Sequence, residues 1–300
     1  MQWVWHLGGL SIPELARRVW NQMQEDDVFG TAAQLSYYFL LALFPLLIVV
    51  TTILGQVFAG NAELYGELQN YMARVMPITA YNLLRGTMDE ITAGASDGRL
   101  SLGLLATLWT ASSGMEAVIN GLNIAYQVSE RRVWWRRRLV AIALTVLMAL
   151  VSGIALALAL TGGRLGGYLA ARFGLGDAFA SLWLTLQIAF PPLFMIVMFA
   201  ILYRYAPNLR AHGWQALLPG TFVGVVLWLA ATAAFRIYLA YFDSYSKTYG
   251  SLGAVIVLLL WLYLSGAAIL IGGEVNSQIR RAAAAAGAAA AQTPIEAPEA

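Results

Sequence analysis

Cysteine is absent from the 300 residues, and histidine, lysine and charge of either sign are scarce. The lack of cysteine excludes disulfides and thiolate metal sites. His6 and His212 are the only histidines and have no partners at ligand spacing, so no metal site is expected. Charged residues make up 11% of the chain, against roughly 25% in soluble proteins. A soluble fold of this length would lack the polar surface to cover itself.

Enzyme signatures are missing as well. The sequence has no GxSxG or Walker A motif, and no GxGxxG motif between a strand and a helix. The acidic pair Asp26-Asp27 is interpreted as a helix end or surface feature, not as a nuclease metal site. We therefore expect no enzymatic activity and no cofactor.

Long apolar stretches are abundant, since hydrophobic residues make up 60% of the chain. A helix needs roughly 20 apolar residues to cross a bilayer core. Five uncharged runs reach that length, and a sixth, residues 100–127, is interrupted by Glu116 alone. We predict an all-α, polytopic membrane protein with a membrane domain over residues 29–280. Its six transmembrane helices lie at about residues 37–58, 100–127, 139–163, 178–203, 213–238 and 249–274.

Positive residues are unevenly shared between the two sides of this bundle. With the N-terminus inside, eleven of the 18 lysines and arginines fall in cytoplasmic segments and seven fall outside. An excess of positive charge marks the cytoplasmic side. The predicted topology is therefore N-in/C-in.

Three further segments flank or interrupt the spans. Residues 1–28 are predicted to form a cytoplasmic amphipathic helix on the inner leaflet, with a capping box at its start. Residues 61–98 carry apolar residues at helical spacing on either side of Pro77, which predicts an extracytoplasmic helical hairpin. Residues 281–300 are an alanine run ending in TPIEAPEA and are predicted to be disordered. The apolar face of the first helix consists of Ile12, Leu15, Val19 and Met23.

A polar stripe runs along the second predicted span. At about 100° per residue, its members fall within roughly 80° of the helix circumference. Polar groups inside a membrane are costly, so this stripe must face the bundle interior or a wet cavity. It is either one wall of a transport path or an interhelical hydrogen-bond seam, with Gly114 and Gly121 allowing close approach. The stripe consists of Ser113, Glu116, Asn120, Asn123 and Gln127.

Residues near the two ends of the spans extend this candidate path. The rise per residue places Glu116 in the inner half of the bilayer and Glu274 near the inner interface. Glu274 and Asn276 are therefore candidates for the inner end of the path. The expected charge partners of Glu116 and Glu274 are Arg204, Arg210 or an arginine between positions 131 and 138. On the outer side, the gate candidates are Arg236, Tyr249 and Gly250, with an interfacial aromatic belt as the alternative.

The segment RRVWWRRR, Arg131 to Arg138, carries five arginines and two tryptophans. It joins an inward span to an outward span, so it should lie at the cytoplasmic headgroup level. There each arginine gains about 1 kcal/mol from anionic lipid, and the tryptophans fit an interfacial belt without bases to stack on. We therefore expect anionic lipid headgroups as partners and no nucleic acid. The expected headgroup contacts are Arg131, Arg132, Trp134, Trp135, Arg137 and Arg138.

Four segments in order resemble the BrkB/YihY family of bacterial inner-membrane proteins, historically mislabelled ribonuclease BN. They are AAQLSYYFLLALFPLLIVV, LWTASSGMEAVINGLNIAYQVSERRVWWRRRL, LYRYAPN and YGSLGAVIVLLLWLYLSGAAILIGGEVN. The resemblance covers about residues 15–280 and implies a six-helix inner-membrane protein with roles in transport or the envelope. It also points to Arg136 as the arginine that turns toward Glu116 or Glu274. The positions that match its motifs, without assigned chemistry, are Glu116, Asn120, Asn123, Arg136, Pro207, Asn208, Tyr249, Gly250, Glu274 and Asn276.

Together these features favour an inner-membrane transporter of a solute, ion or lipid. A lipid or amphipathic substrate is preferred, with proton coupling through Glu116. The alternative is a non-transporting scaffold or envelope-assembly factor, which a dry bundle with Glu116 satisfied by a neighbour would favour. A ribonuclease is least favoured, because intramembrane carboxylates cannot readily meet RNA.

Overall fold

A computed structural model describes residues 7–58, 66, 70, 98–173, 177–209, 213–241 and 243–292. Over these ranges the regular structure is entirely helical, which confirms the all-α fold class. Short 3₁₀ turns lie at Leu7–Gly9 and Trp214–Leu217. The α-helices are α1 (Ile12–Glu25), α2 (Val28–Phe58), α3 (Gly98–Ala125), α4 (Trp134–Phe173), α5 (Asp177–Tyr205), α6 (Leu218–Tyr241) and α7 (Asp243–Gln292).

Each of the six predicted spans coincides largely with one of the helices α2 to α7. Within the described ranges, three segments are long and apolar enough to cross a bilayer: Trp134–Ala155, Leu218–Tyr238 and Val255–Ala286. Two shorter apolar segments are Val28–Leu43 and Phe190–Tyr205. The chain therefore has the helices of a multi-pass membrane protein, while the count of six spans and the N-in/C-in topology stay predictions.

The chain divides into two compact units. The first comprises Met1–Tyr37, Ala117–Arg132 and Phe199–Ala300, and the second comprises Tyr38–Glu116 and Val133–Met198. Helices α2, α3 and α5 each contribute to both units. On α3 the boundary between the units falls between Glu116 and Ala117, so it divides the polar stripe.

Helix α1 belongs to the first unit and begins at a local cap. The Ser11 hydroxyl accepts a hydrogen bond from the Glu14 amide at 3.4 Å, as the capping box predicts. Helix α1 packs on α7. Leu15, Val19 and Met23 are buried, whereas Ile12 at the start of the helix is 73% exposed. Burial against α7 removes those three apolar side chains from water without a bilayer.

Close helix contacts form the core of the first unit. A Cβ atom at Gly272 of α7 would lie 2.6 Å from the Gly220 carbonyl oxygen of α6 and would overlap the Tyr203 hydroxyl. That hydroxyl donates to the Ile269 carbonyl at 2.8 Å. Glycine at position 272 therefore allows α5, α6 and α7 to meet closely.

In the second unit, α3 packs closely on α2. A Cβ atom at Gly114 would lie 2.9 Å from the Ala42 Cβ atom. Ala42 and Ala111 are buried. Gly114 therefore allows the close approach of helices that was predicted for a packed seam.

The predictions for the C-terminal tail and for the outer hairpin have different outcomes. Helix α7 continues through Gln292, so residues 281–292 are helical and the prediction of disorder is wrong for them. The reason is that alanine has the strongest intrinsic preference for a helix. Residues 293–300 lie outside the described residues, as does the predicted hairpin at 61–98 apart from Gly66, Asn70 and Gly98.

Candidate functional site

Glu116 is held by two arginines within the second unit. Arg137 donates from Nε and Nη2 to Glu116 Oε1 at 3.0 and 2.7 Å. Arg138 donates from Nη1 to Glu116 Oε2 at 2.6 Å. Both carboxylate oxygens are therefore engaged in charge-assisted hydrogen bonds that join α3 to the first turn of α4.

Arg138 is the more enclosed of the two arginines. Its side chain is 9% exposed, against 30% for Arg137. Its Nη2 donates to the Trp109 carbonyl and, at 3.4 Å, to the Ser113 hydroxyl. Its guanidinium carbon lies 4.1 Å from the centre of the Trp109 ring. A cation over a tryptophan face is stabilised further, so the ring of Trp109 helps to hold Arg138 beside Glu116.

The expected inward arginine is therefore the wrong one. Arg136 is exposed, and its guanidinium carbon lies 5.1 Å from the Trp135 ring centre. Arg137 and Arg138 contact Glu116 instead, although the sequence analysis assigned both to lipid headgroups. Successive helical residues are separated by about 100°, so at the start of α4 positions 137 and 138 face α3 while position 136 faces away.

The remaining members of the arginine-rich segment also have separate surroundings. Arg131, Trp134 and Trp135 are exposed and stay available for headgroups. Arg132 is not available for a headgroup, because it donates from Nε and Nη2 to Glu130 at 2.8 and 2.7 Å. Its Nη2 also donates to the Ala206 carbonyl at 2.8 Å. The assignment of Arg132 to a lipid headgroup is thus corrected to an internal ion pair.

Asn123 completes this network in the first unit. Its amide nitrogen donates to Glu130 Oε2 at 2.9 Å, and its Oδ1 accepts from the Asn208 backbone amide at 2.7 Å. The network ties the α3–α4 connection to the residues after α5. Burial acts to raise the pKa of Glu130, but the hydrogen bonds from Arg132 and Asn123 outweigh it and hold that pKa at about 2.

The members of the predicted polar stripe have different surroundings. Ser113 and Glu116 belong to the second unit, whereas Asn123 belongs to the Glu130 network of the first. Asn120 is exposed, and Gln127 is exposed in the turn after α3 with a φ of 49°. A transport path along the stripe stays a prediction.

Glu274 differs from Glu116, because no arginine in the described part of the chain bonds to its carboxylate. Its residue is 0% exposed, and among the described residues neither Oε1 nor Oε2 has a hydrogen-bond partner. It lies on α7 between the close-contact Gly272 and the buried Asn276. An ionised carboxylate in such surroundings is costly unless it gains a proton or a counter-charge.

Three other polar groups point into the surroundings of Glu274, and we call the four residues the Glu274 cluster. Asp26, at the junction of α1 and α2, interacts directly with the Glu274 side chain. Tyr126, just after α3, interacts with both Glu274 and Asn276. In the described structure, Asp26 Oδ2, the Tyr126 hydroxyl and Asn276 Nδ2 are all buried without a hydrogen-bond partner. The Asn276 Oδ1 atom is already taken, since it accepts from the Gly220 amide at 2.7 Å.

The other sequence-predicted site residues lie apart from these clusters or outside the description. The Arg204 guanidinium lies 5.9 Å from the centre of the Tyr205 ring, and Arg236 is exposed. Arg210 lies outside the described residues. Tyr249 and Gly250 fall within α7, but the gate assigned to their side chains is also outside the description.

Sequence reasoning missed Asp26, Trp109, Tyr126 and Glu130. Asp26 was interpreted as a helix end, which is correct, because it is the C-cap of α1. Its contact with Glu274 joins opposite ends of the chain, and no local pattern signals such a pair. The one available signal is chemical, since an aspartate beside an apolar helix start has few ways to be satisfied.

A family model described as "Virulence factor BrkB" matches residues 19–296. The chain belongs to the BrkB family. No solved structure matches it.

BrkB-family relatives cover nearly the whole chain. A Bacillus subtilis protein named as ribonuclease-like, YfkH, is 34% identical over 83% of this chain and 89% of its own. A UPF0761 membrane protein of Aeromonas salmonicida is 28% identical over 91% of this chain and 89% of its own length. A UPF0761 membrane protein of Pseudoalteromonas atlantica is 28% identical over 86% of this chain and 83% of its own length. These matches confirm the family resemblance, and with the apolar helices they establish a multi-pass membrane protein.

Proposed function

We propose that this BrkB-family protein transports a solute, ion or lipid across the bacterial inner membrane, with charge coupling at Glu274. The observation that carries the proposal is a fully buried carboxylate whose two oxygens have no partner in the described structure. Ionisable groups within membrane helices pair with one another or serve ion pathways and proton relays. No basic group among the described residues contacts the Glu274 oxygens, so the second role suits Glu274 better.

Glu116 is a poorer coupling residue than the sequence indicated. Both of its oxygens bind arginines, Arg137 at one and Arg138 at the other, so Glu116 already has its counter-charges. Coupling is therefore reassigned from Glu116 to Glu274, and Glu116 becomes a fixed link between α3 and α4.

Within the substrate classes, we favour a lipid or another amphipathic molecule. The support is the exposed edge at the start of α4, which consists of Trp134, Trp135 and Arg136. Tryptophan is enriched at membrane interfaces, and arginine attracts anionic headgroups there. Such an edge would concentrate anionic lipid at the cytoplasmic end of α4.

Reconstitution in liposomes tests transport directly. Wild type and protein-free liposomes would be compared for uptake or flipping across panels of labelled lipids and small solutes, with and without a pH gradient. We expect at least one substrate to move only with protein present and faster with the gradient. Absence of protein-dependent movement across both panels would contradict transport.

A non-transporting scaffold is the second candidate, and a specific observation favours it. Glu116 is satisfied by its neighbours, and the Glu130 network closes the α3–α4 connection in the same way. Pull-down of envelope proteins by wild type but not by Arg131→Gln/Arg136→Gln, together with no flux, would support the scaffold. The double variant retains Arg132, Arg137 and Arg138 and should therefore fold.

We also propose that the protein is not an enzyme, although the relative YfkH is named as ribonuclease-like. An RNase assay on protein purified from a strain lacking the main cellular ribonucleases is the test. RNA cleavage that survives this purification and is lost in Asp26→Asn would contradict the proposal.

A further inference from the structure

We propose that Asp26 and Glu274 form one site that holds a single positive charge, either a proton or a small monovalent cation. This inference deepens the proposed function by naming the second residue of the site and the charge it takes. The two carboxyl groups come from the α1–α2 junction and from α7. The site therefore exists only when the N-terminal helix packs on the last helix.

The oxygens of the pair carry the argument. Glu274 Oε1, Glu274 Oε2 and Asp26 Oδ2 are buried and lack a hydrogen-bond donor in the described structure. When ionised, both side chains can only accept hydrogen bonds, so neither can satisfy the other without a proton or a cation. Two adjacent carboxylates repel each other in a low-dielectric interior, and one proton between them turns that repulsion into a strong hydrogen bond.

Tyr126 and Asn276 provide an independent observation. Each is 2% exposed, and each has a buried polar atom that makes no hydrogen bond in the described structure, the Tyr126 hydroxyl and Asn276 Nδ2. Buried polar atoms in native proteins nearly always have partners. A bound ion or a protonated carboxyl would order the tyrosine hydroxyl, and the Asn276 amide would then donate to the oxygen of either Tyr126 or Glu274.

The charged groups around Asp26 and Glu274 indicate that the ligand of this site is positively charged. Asp26 and Glu274 contribute two negative charges, and Arg281 is the positive group that acts on Glu274. Arg281 directs its own donors elsewhere, to Gln22 Oε1 at 3.5 Å and the Ser277 hydroxyl at 3.2 Å. Arg280 is turned to Tyr126, donating to its carbonyl at 3.2 Å. Neither arginine donates to Glu274 Oε1, Glu274 Oε2 or Asp26 Oδ2 in the described structure, so a proton or a monovalent cation would supply the direct counter-charge that these oxygens lack.

The experiment uses the full chain in lipid nanodiscs. Infrared spectra would be recorded at neutral pH with ¹³C-labelled carboxyl groups on glutamate or on aspartate. Thermal unfolding would be followed in NaCl and LiCl, each against N-methylglucamine chloride at the same ionic strength. The variants are Glu274→Gln and Asp26→Asn, and Glu25→Gln is the matched control because it makes the same chemical change one residue from Asp26.

Either of two results supports the site. A protonated-carboxyl band that moves with the glutamate or aspartate label, and is lost in Glu274→Gln but retained in Glu25→Gln, identifies the ligand as a proton. A Tm that rises with NaCl or LiCl in wild type and Glu25→Gln, but in neither site variant, identifies a cation. The isotope and salt measurements on wild type remain decisive even if a site variant fails to fold.

The site is overturned if wild type shows neither a protonated carboxyl at neutral pH nor a sodium- or lithium-dependent Tm. It is also overturned if Glu25→Gln loses the signal to the same extent as Glu274→Gln. Neither measurement requires a transported substrate. A positive site with no flux in liposomes would therefore reject transport and leave the charge site standing.

Discussion

Three consecutive arginines at the start of α4 have different surroundings although their chemistry is the same. Arg136 is exposed over Trp135, whereas Arg137 and Arg138 bind Glu116. Composition correctly indicated a basic segment and a need to pair Glu116. It did not indicate which arginine would turn inward, because that depends on the helical phase of α4 relative to α3.

This difference predicts unequal effects of the same substitution. Arg138→Gln should lower the free energy of unfolding by about 3 kcal/mol, because it leaves the Glu116 carboxylate partly unpaired. Arg136→Gln should change it by less than about 0.5 kcal/mol, as for most surface substitutions. Reversible unfolding in mixed micelles measures both. Similar losses for the two variants would contradict the assignment of partners.

Glu130 predicts a defined response to acid. Its pKa in the folded protein is about 2, below the roughly 4.3 of a free glutamate. A lowered folded-state pKa contributes stability that is present above the unfolded pKa and is lost as pH falls toward the folded value. Wild type should therefore lose more Tm between pH 5 and pH 3 than Glu130→Gln. Parallel pH profiles for the two proteins would show that the ion pair with Arg132 adds no stability.

The buried cluster around Glu274 shows why sequence reasoning found half of a site. Glu274 and Asn276 stood out because polar residues in an apolar run are costly. Asp26 and Tyr126 did not, because each lies at a helix end where polar residues are ordinary. Their role depends on packing between α1, α3 and α7, which local patterns do not encode.

At the scale of helices, apolar length was the reliable signal. Each predicted span lies largely within one observed helix, since a run of uncharged residues has few alternatives to a helix in a membrane. The ends of the helices were less predictable from the sequence. Helix α7 extends to Gln292 because its alanines continue the helix without needing to be buried.

Close packing between helices predicts another contrast. Gly272→Ala should destabilise the protein by about 1–3 kcal/mol, because the added Cβ meets the Gly220 carbonyl and the Tyr203 hydroxyl. Gly167→Ala is the matched control within α4, where a Cβ would meet nothing within 4 Å. It should be neutral or stabilise by up to about 1 kcal/mol through helix propensity. Thermal unfolding of both variants checks the contrast, and equal stabilities would argue against close contact at position 272.

At the scale of the whole molecule, the absence of cysteine makes the N-in/C-in topology directly measurable. Single cysteines would be introduced as Ala16→Cys on α1, Ala285→Cys on α7 and Ser96→Cys in the predicted outer hairpin. In spheroplasts, a membrane-impermeant maleimide should label position 96 alone, and permeabilisation should expose positions 16 and 285. Labelling of position 16 or 285 in intact spheroplasts would overturn the predicted orientation.

The central claim is that Glu274, and not Glu116, carries the coupling charge. Its most direct test is proton entry into liposomes, followed with an internal pH dye while a transported substrate moves. Wild type, Glu274→Gln and Glu116→Gln would be reconstituted at equal, correctly folded amounts. We predict that Glu274→Gln loses at least about tenfold in substrate-dependent proton flux, which corresponds to about 1.4 kcal/mol. Glu116→Gln should retain coupling in whatever fraction folds. Loss of coupling in Glu116→Gln with normal flux in Glu274→Gln would contradict the claim.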